Sequence, residues 1–335
     1  MFKKLFNNWS PKSHSNVLKA SSFNHCSSVC AHKYGVLIAW YSGSGECKDD
    51  QSVYVVFESS GAVSEPLCIG PKTGNPVLIP QSRSKAVLVW SKFEDTGPIT
   101  RIVDRWKHCS LWAAYIYMSD GKVKLDGCQE KIAEPNKHLL GRCNPIRVGG
   151  HFLLPLYDEV HAHGVIYKGN GLEYKPLGRL GTNMIQPTLW TEGKRIYSLS
   201  RNFMTQKHFR ARQCHSDDGG VTWSEPVPCR IPNNNSSLHV VEWNKHILVM
   251  WNNTPLPKRD SMTLGTITTG ADKWYVNIVH TLSSHGVSYG AYPSMCVDHI
   301  GNLHMTYSSI AHTIEHNVWN YKYFKLPTYM DKPHL

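Results

Sequence analysis

The sequence predicts an all-β protein whose strands close into a six-bladed propeller. A turn motif with degenerate echoes, a supply of short strand-like runs and a length that holds six repeats all point there. Residues 216–223 read Ser-Asp-Asp-Gly-Gly-Val-Thr-Trp and lead into Ser224-Glu225-Pro226. Asp218 is placed to bond nearby backbone amides, Gly220 to take a positive φ, and Trp223 to plug into the sheet beneath the turn. Ser-Glu-Pro recurs at 64–66, behind Ser59-Ser60-Gly61, and related turns begin at 119, 169 and 269. From 59 through 119, 169 and 216 to 269 the spacings are 60, 50, 47 and 53 residues. A four-stranded blade needs a repeat of that order, about 40–50 residues.

The strand-like runs are short and rich in β-branched and aromatic residues: Val36–Tyr41, Ser52–Phe57, Ala86–Trp90, Leu111–Met118, Phe152–Leu156, Ile196–Ser200, His246–Trp251 and Leu303–Tyr307. No long segment has a helical period, and no Ser/Gly/Pro linker, charge run or low-complexity block divides the chain. With 335 residues and a period near 53, about six units fit. The expectation is a single domain over 1–335, with residues 1–20 as an N-terminal extension.

The formal net charge of +11 favours an anionic partner: an acidic sugar, nucleic acid or an anionic surface. It is dispersed, with no Lys/Arg-rich run and no nucleic-acid motif, so a solvated basic surface explains it equally. The start has no apolar core of signal-peptide length, and no membrane span is present. Ten scattered cysteines show no disulfide framework, which fits reduced thiols in a cytoplasmic setting or release in a particle or by lysis. His25-Cys26-x3-Cys30-x-His32 matches no standard zinc spacing, and strand alternation accounts for it, so no metal or other cofactor is assigned.

Beyond the turn at 216–223, an Asp-box pattern, ordered landmarks run through the chain. They are Gly43-Ser-Gly-Glu46-x3-Asp50, Asn75-Pro76-Val77, Asn144-Pro145-Ile146 with Leu153–Tyr157, Gln186-Pro187, Ser200-Arg201, Asn252 with Arg259, and Ala291-Tyr292-Pro293-Ser294. Over roughly residues 25–325 the sequence resembles the sialidase superfamily, in its BNR-repeat-like branch. That resemblance implies an exo-acting glycosidase for a terminal acidic sugar. Arginine forks grip the sugar carboxylate, a tyrosine paired with a glutamate attacks the anomeric carbon, and an aspartate serves as acid/base.

Carried over position by position, Arg201 and Arg259 resemble two of the three carboxylate-binding arginines, and Tyr292 resembles the nucleophile. Asp50 or its neighbour Asp49 falls where the acid/base belongs, with Glu46 on the same loop. Two positions depart from the pattern. The Arg-Ile-Pro that carries the first arginine is replaced by His25-Cys26-Ser27-Ser28, and Gln186 stands near the place of the glutamate. A neutral amide orients a phenol but takes no proton from it. His25 therefore opens a second reading, a uronate lyase in which His and Tyr act as base and acid. A third is a non-catalytic glycan-binding or virion structural propeller. Tyr157-Asp158-Glu159 closes a strand and either lines the same mouth or is a solvated strand end.

Overall fold

The computed structural model describes residues 15–94, 102–203, 209–256, 258–260, 262–269, 274–281, 290–310 and 312–320. Six antiparallel sheets make six blades. The first blade begins with Phe23–His32, the second with Thr73–Pro80, and the third with the broken strand Leu139–Gly141 and Ile146–Val148. The fourth, fifth and sixth begin with Ile185–Glu192, His239–Trp243 and Ala291–Val297. Inner strands of neighbouring blades touch, except that the third blade meets Ile185–Glu192 through its second strand His151–Asp158, and Phe23–His32 packs against both Thr73–Pro80 and Ala291–Val297. The ring closes through its last blade, where Ser15–Leu18 pairs with Ile314–Trp319. Part of the stretch expected as an extension is thus a blade strand.

The turn echoes share one topological place. Each joins the third strand of a blade to the next, as at Ser59–Ala62, Ser119–Lys122, Asn170–Glu173 and Ser216–Val227; residues 270–273 of the fifth echo lie outside the described residues. In the full box, Asp218 Oδ1 accepts the Val221 and Thr222 amides at 3.1 and 2.9 Å, and Ser216 Oγ accepts Gly220 N at 2.9 Å. Gly220 has φ 96°. A Cβ there would come within 3.2 Å of Leu153 Cδ1. Trp223 is half-buried rather than a sunken plug. Its Nε1 donates to Gly220 O, and the ring lies on a cluster that includes Leu153, Leu189 and Ile196.

Apolar clusters fill the seams between blades. Val77, Val89 and Leu154 pack the second against the third, Leu153 and Leu189 the third against the fourth, and Leu199 and Val249 the fourth against the fifth. Leu264 and Met305 join the fifth to the sixth, Val36 and Ile314 the sixth to the first, and Val55 and Leu88 the first to the second. Each such side chain contributes about 1.5–3 kcal/mol on full burial, so the ring is held along radial walls and its axis is left to polar groups.

The landmarks at the axis are bulges in the inner strands. At 26–27, 75–76, 186–187 and 292–293 two residues face one on the next strand, and the first of each pair is left-handed: Cys26 φ 58°, Asn75 46°, Gln186 52°, Tyr292 52°. A residue before proline normally holds extended backbone, and a non-glycine at such a φ costs about 1–3 kcal/mol. Hydroxyls just past the bulges tie blades together. Ser294 Oγ accepts from Val29 N at 3.1 Å, Ser28 Oγ from Leu78 N at 3.0 Å, and Thr188 Oγ1 from Val240 N at 3.1 Å.

Candidate active site

Tyr292, on the sixth-blade bulge, is the centre of a cationic and aromatic cluster. The His25 ring stands edge-on to it at 4.6 Å between centroids. The Arg259 and Arg142 guanidinium carbons lie 5.0 and 5.4 Å from its ring centroid. Tyr41 packs against the far side of His25 at 5.8 Å. Burial, then Arg259 and Arg142, hold His25 well below the usual histidine range, so its imidazole is neutral at pH 7.

Arg142 escaped the sequence reading and is the most buried cation here, 1% exposed. Its Nε donates to Ser237 Oγ (3.1 Å), Nη1 to Ser27 O (3.0 Å) and Nη2 to Pro293 O (2.7 Å). Ser27 and Pro293 are the second residues of two bulges, whose carbonyls have left the strand ladder. One guanidinium from the third blade thus fastens the first and sixth, and every partner is neutral. Among the described residues no carboxylate pairs with it beneath Tyr292, a setting that favours an anion. The signal was its place two residues before Asn144-Pro145, the third-blade counterpart of the other x-Pro pairs.

Of the expected residues, the structure brings His25, Arg259 and Tyr292 together. Gln186 is buried, and its Nε2 donates to Tyr157 Oη at 3.3 Å while its Oε1 has no partner among the described residues. Arg201 is half-buried, with Nε on Asn235 Oδ1 at 2.8 Å, and lies near enough to act on Tyr157 and Glu159. Glu46 accepts Trp106 Nε1 at 3.1 Å and sits 3.4 Å from Tyr41 Oη. Asp50 and Asp49 are elsewhere in use. Asp50 is exposed and takes the Ser44 amide and hydroxyl at 2.8 and 2.9 Å, and Asp49 pairs with Arg105 at 2.6 Å.

Cys26, Cys30 and His32 do not gather around His25. Cys26 Sγ lies 3.3 Å from Asn75 Oδ1, and burial pushes its thiol up to about 11. Burial pushes Cys30 up to about 12, and the His32 ring packs on Phe57. All ten cysteines are thiols.

Glu159 supplies a second carboxyl. Burial lifts it above the usual range, with Arg201 and Lys107 opposing and Glu46 adding to the rise. Tyr157, two residues earlier, is pushed well above the tyrosine range by burial first and Glu159 second. The sequence reading had left this strand end undecided between mouth and solvent.

The fold defines the class: a six-bladed β-propeller of the sialidase type. The model of the BNR repeat-like domain matches residues 35–305, more than half of the chain, and the chain belongs to that family. Among solved structures, the intramolecular trans-sialidase from Ruminococcus gnavus superposes with a TM-score of 0.67 at 14% identity, covering 94% of this chain and 99% of that one. Trypanosoma rangeli sialidase gives 0.66 at 11%, covering 94% of this chain and 60% of the larger enzyme. A Dyadobacter fermentans protein of unknown function gives 0.67 at 11%, covering 92% and 98%. At these identities the likeness is one of fold. No curated protein matches the chain.

Proposed function

We propose that the chain cleaves a terminal acidic sugar from a glycan by a tyrosine-centred hydrolysis, with His25 in place of the usual glutamate. The observation that carries this is Tyr292, strained on its bulge between two guanidinium groups and edge-on to a neutral imidazole. His25, edge-on to the Tyr292 ring, takes the phenolic proton as the attack proceeds. Arg259 and Arg201 hold the sugar carboxylate, with the buried Arg142 charge behind them. Tyr292 Oη bonds to the anomeric carbon as the bond to the leaving oxygen breaks, and that oxygen takes a proton from Glu159, whose raised pKa suits an acid. Water then releases the sugar from the tyrosine, with the Glu159 carboxylate as base, and His25 returns the phenolic proton.

A second reading shares the pocket. His25 and Tyr292 are also a base–acid pair for β-elimination on a uronate, and Asp50, bound to Ser44, is then not needed. A product assay over a panel of acidic glycans tests both. Hydrolysis releases an intact acidic sugar and is lost in Glu159→Gln. Elimination gives an unsaturated, ultraviolet-absorbing uronate and survives that change. Binding without either product assigns the pocket to glycan recognition.

A further inference from the structure

A second polar cluster lies away from Tyr292, in the seam where the sixth blade meets the first. Leu303–Ser308 and Ile314–Trp319 pair with Thr306 opposite His316 and His304 opposite Val318. His304 and His316 are therefore diagonal neighbours on one face of the sheet. His304 Nδ1 and His316 Nε2 face each other at 3.0 Å. Glu58, from the third strand of the first blade, brings a carboxylate to the same point, and ligating atoms of all three lie within 4.8 Å of one another.

These groups are 2%, 4% and 0% exposed for Glu58, His304 and His316. The recorded hydrogen bond of Glu58 is from the Gly61 amide, and among the described residues no cationic side chain pairs with it. A buried carboxylate without a cation is costly. His316 Nδ1 is also buried, with no partner among the described residues. His304 Nε2 lies 3.1 Å from Asp298 Oδ2. That contact fixes the Nε2–H tautomer and turns the Nδ1 lone pair toward His316. A carboxylate behind a histidine in this way is the usual outer support of a metal-bound imidazole. Glu58, His304 and Asp298 also line a surface pocket of about 370 Å³, which gives an entry path and room for a water ligand.

We propose that Glu58, His304 and His316 bind a divalent transition cation, zinc by preference, which bolts the last blade to the first. Two imidazole nitrogens and one carboxylate oxygen match zinc and its neighbours and suit calcium or magnesium poorly. Ligand atoms on a tetrahedral zinc stand about 3.3 Å apart, so a small contraction of Glu58 toward the histidine pair completes the site. The His316 proton moves from Nε2 to Nδ1, so the ring stays neutral and no proton is released. The cation joins elements far apart in sequence and acts on ring closure, independently of the Tyr292 pocket.

The test uses the full untagged chain, stripped with chelator, titrated with zinc chloride and followed by calorimetry, metal analysis and thermal unfolding. The expected result is one zinc per chain and a rise in Tm of about 4 °C or more at saturation. Asp298→Asn weakens zinc binding about 10–100-fold. Glu58→Gln, which keeps the Gly61 hydrogen bond, and His316→Gln weaken it at least as much. His161→Ala, at an exposed histidine of the third blade, leaves it unchanged. Should His316→Gln fail to fold, Glu58→Gln decides. Absence of stoichiometric zinc in the wild type, or wild-type affinity in Glu58→Gln, overturns the proposal.

Discussion

Arg142 Nη2 donates to the carbonyl of Pro293 at 2.7 Å, so a buried cation of the third blade is fastened to the residue that follows Tyr292 in the sixth. The backbone that aims the candidate nucleophile is set from across the ring.

Arg142→Met therefore removes three donors and strands two buried carbonyls. The expected loss is about 3 kcal/mol or more, since each unsatisfied buried group costs about 1–3 kcal/mol. Chemical denaturation measures it, and wild-type stability would show that water replaces the guanidinium. Arg142→Lys should recover little, because an ammonium cannot reach three partners on three sides.

Tyr292→Phe removes the hydroxyl alone. Turnover should fall below detection while binding of an acidic glycan, followed by calorimetry, changes less than about tenfold. Arg259→Ala should weaken acidic glycans far more than neutral ones.

Asp218 gives an acid-side dependence. Hydrogen bonds from Thr222, side chain and backbone, and from Ser216 bring its carboxyl down to about 2. Its folded pKa is below the unfolded one, so its contribution is present above about 4 and is lost as pH falls toward 2. Asp218→Asn should flatten the Tm-against-pH curve in that window. A parallel curve would refute the assignment.

His239 acts at higher pH. It is 2% exposed, neither ring nitrogen has a partner among the described residues, and burial with Arg142 nearby brings it down to about 3. The unfolded chain binds a proton here below about 6.5 and the folded chain does not, so stability falls as pH drops, by about 1.4 kcal/mol per unit. His239→Gln should remove that slope between about pH 6 and 4, as read from unfolding curves.

Trp223→Ala should cost about 1–2 kcal/mol, below the value for a fully buried indole, because the ring is half-exposed. An unchanged Tm would show that the box holds its turn without the indole.

The blade count was legible because turn chemistry is local: Asp218, Gly220 and Trp223 lie within one turn and announce it. The x-Pro landmarks were legible as sequence, yet their bulged backbone was not, since pairing two residues against one depends on the neighbouring strand. The site divided along the same line. Tyr292, His25 and Arg259 come together as their order around the ring allows. Asp50 could not be told from a solvated turn residue because its partner, Ser44, lies in its own loop. Arg142 gave no local sign beyond its place two residues before Asn144-Pro145, because its partners Ser27, Ser237 and Pro293 are distant in sequence and two of its three bonds are to backbone carbonyls.

The pairing of Ser15–Leu18 with Ile314–Trp319 also sets an order of events during synthesis. The strand made among the earliest waits for the one made among the latest, so five blades can be laid down on the ribosome while the sixth cannot. Until then the inner strand Phe23–His32 lacks its neighbour Ala291–Val297. His25 and Tyr292, 4.6 Å apart in the finished ring, meet only at that last step. The proposed pocket is therefore assembled only when the last blade closes the ring.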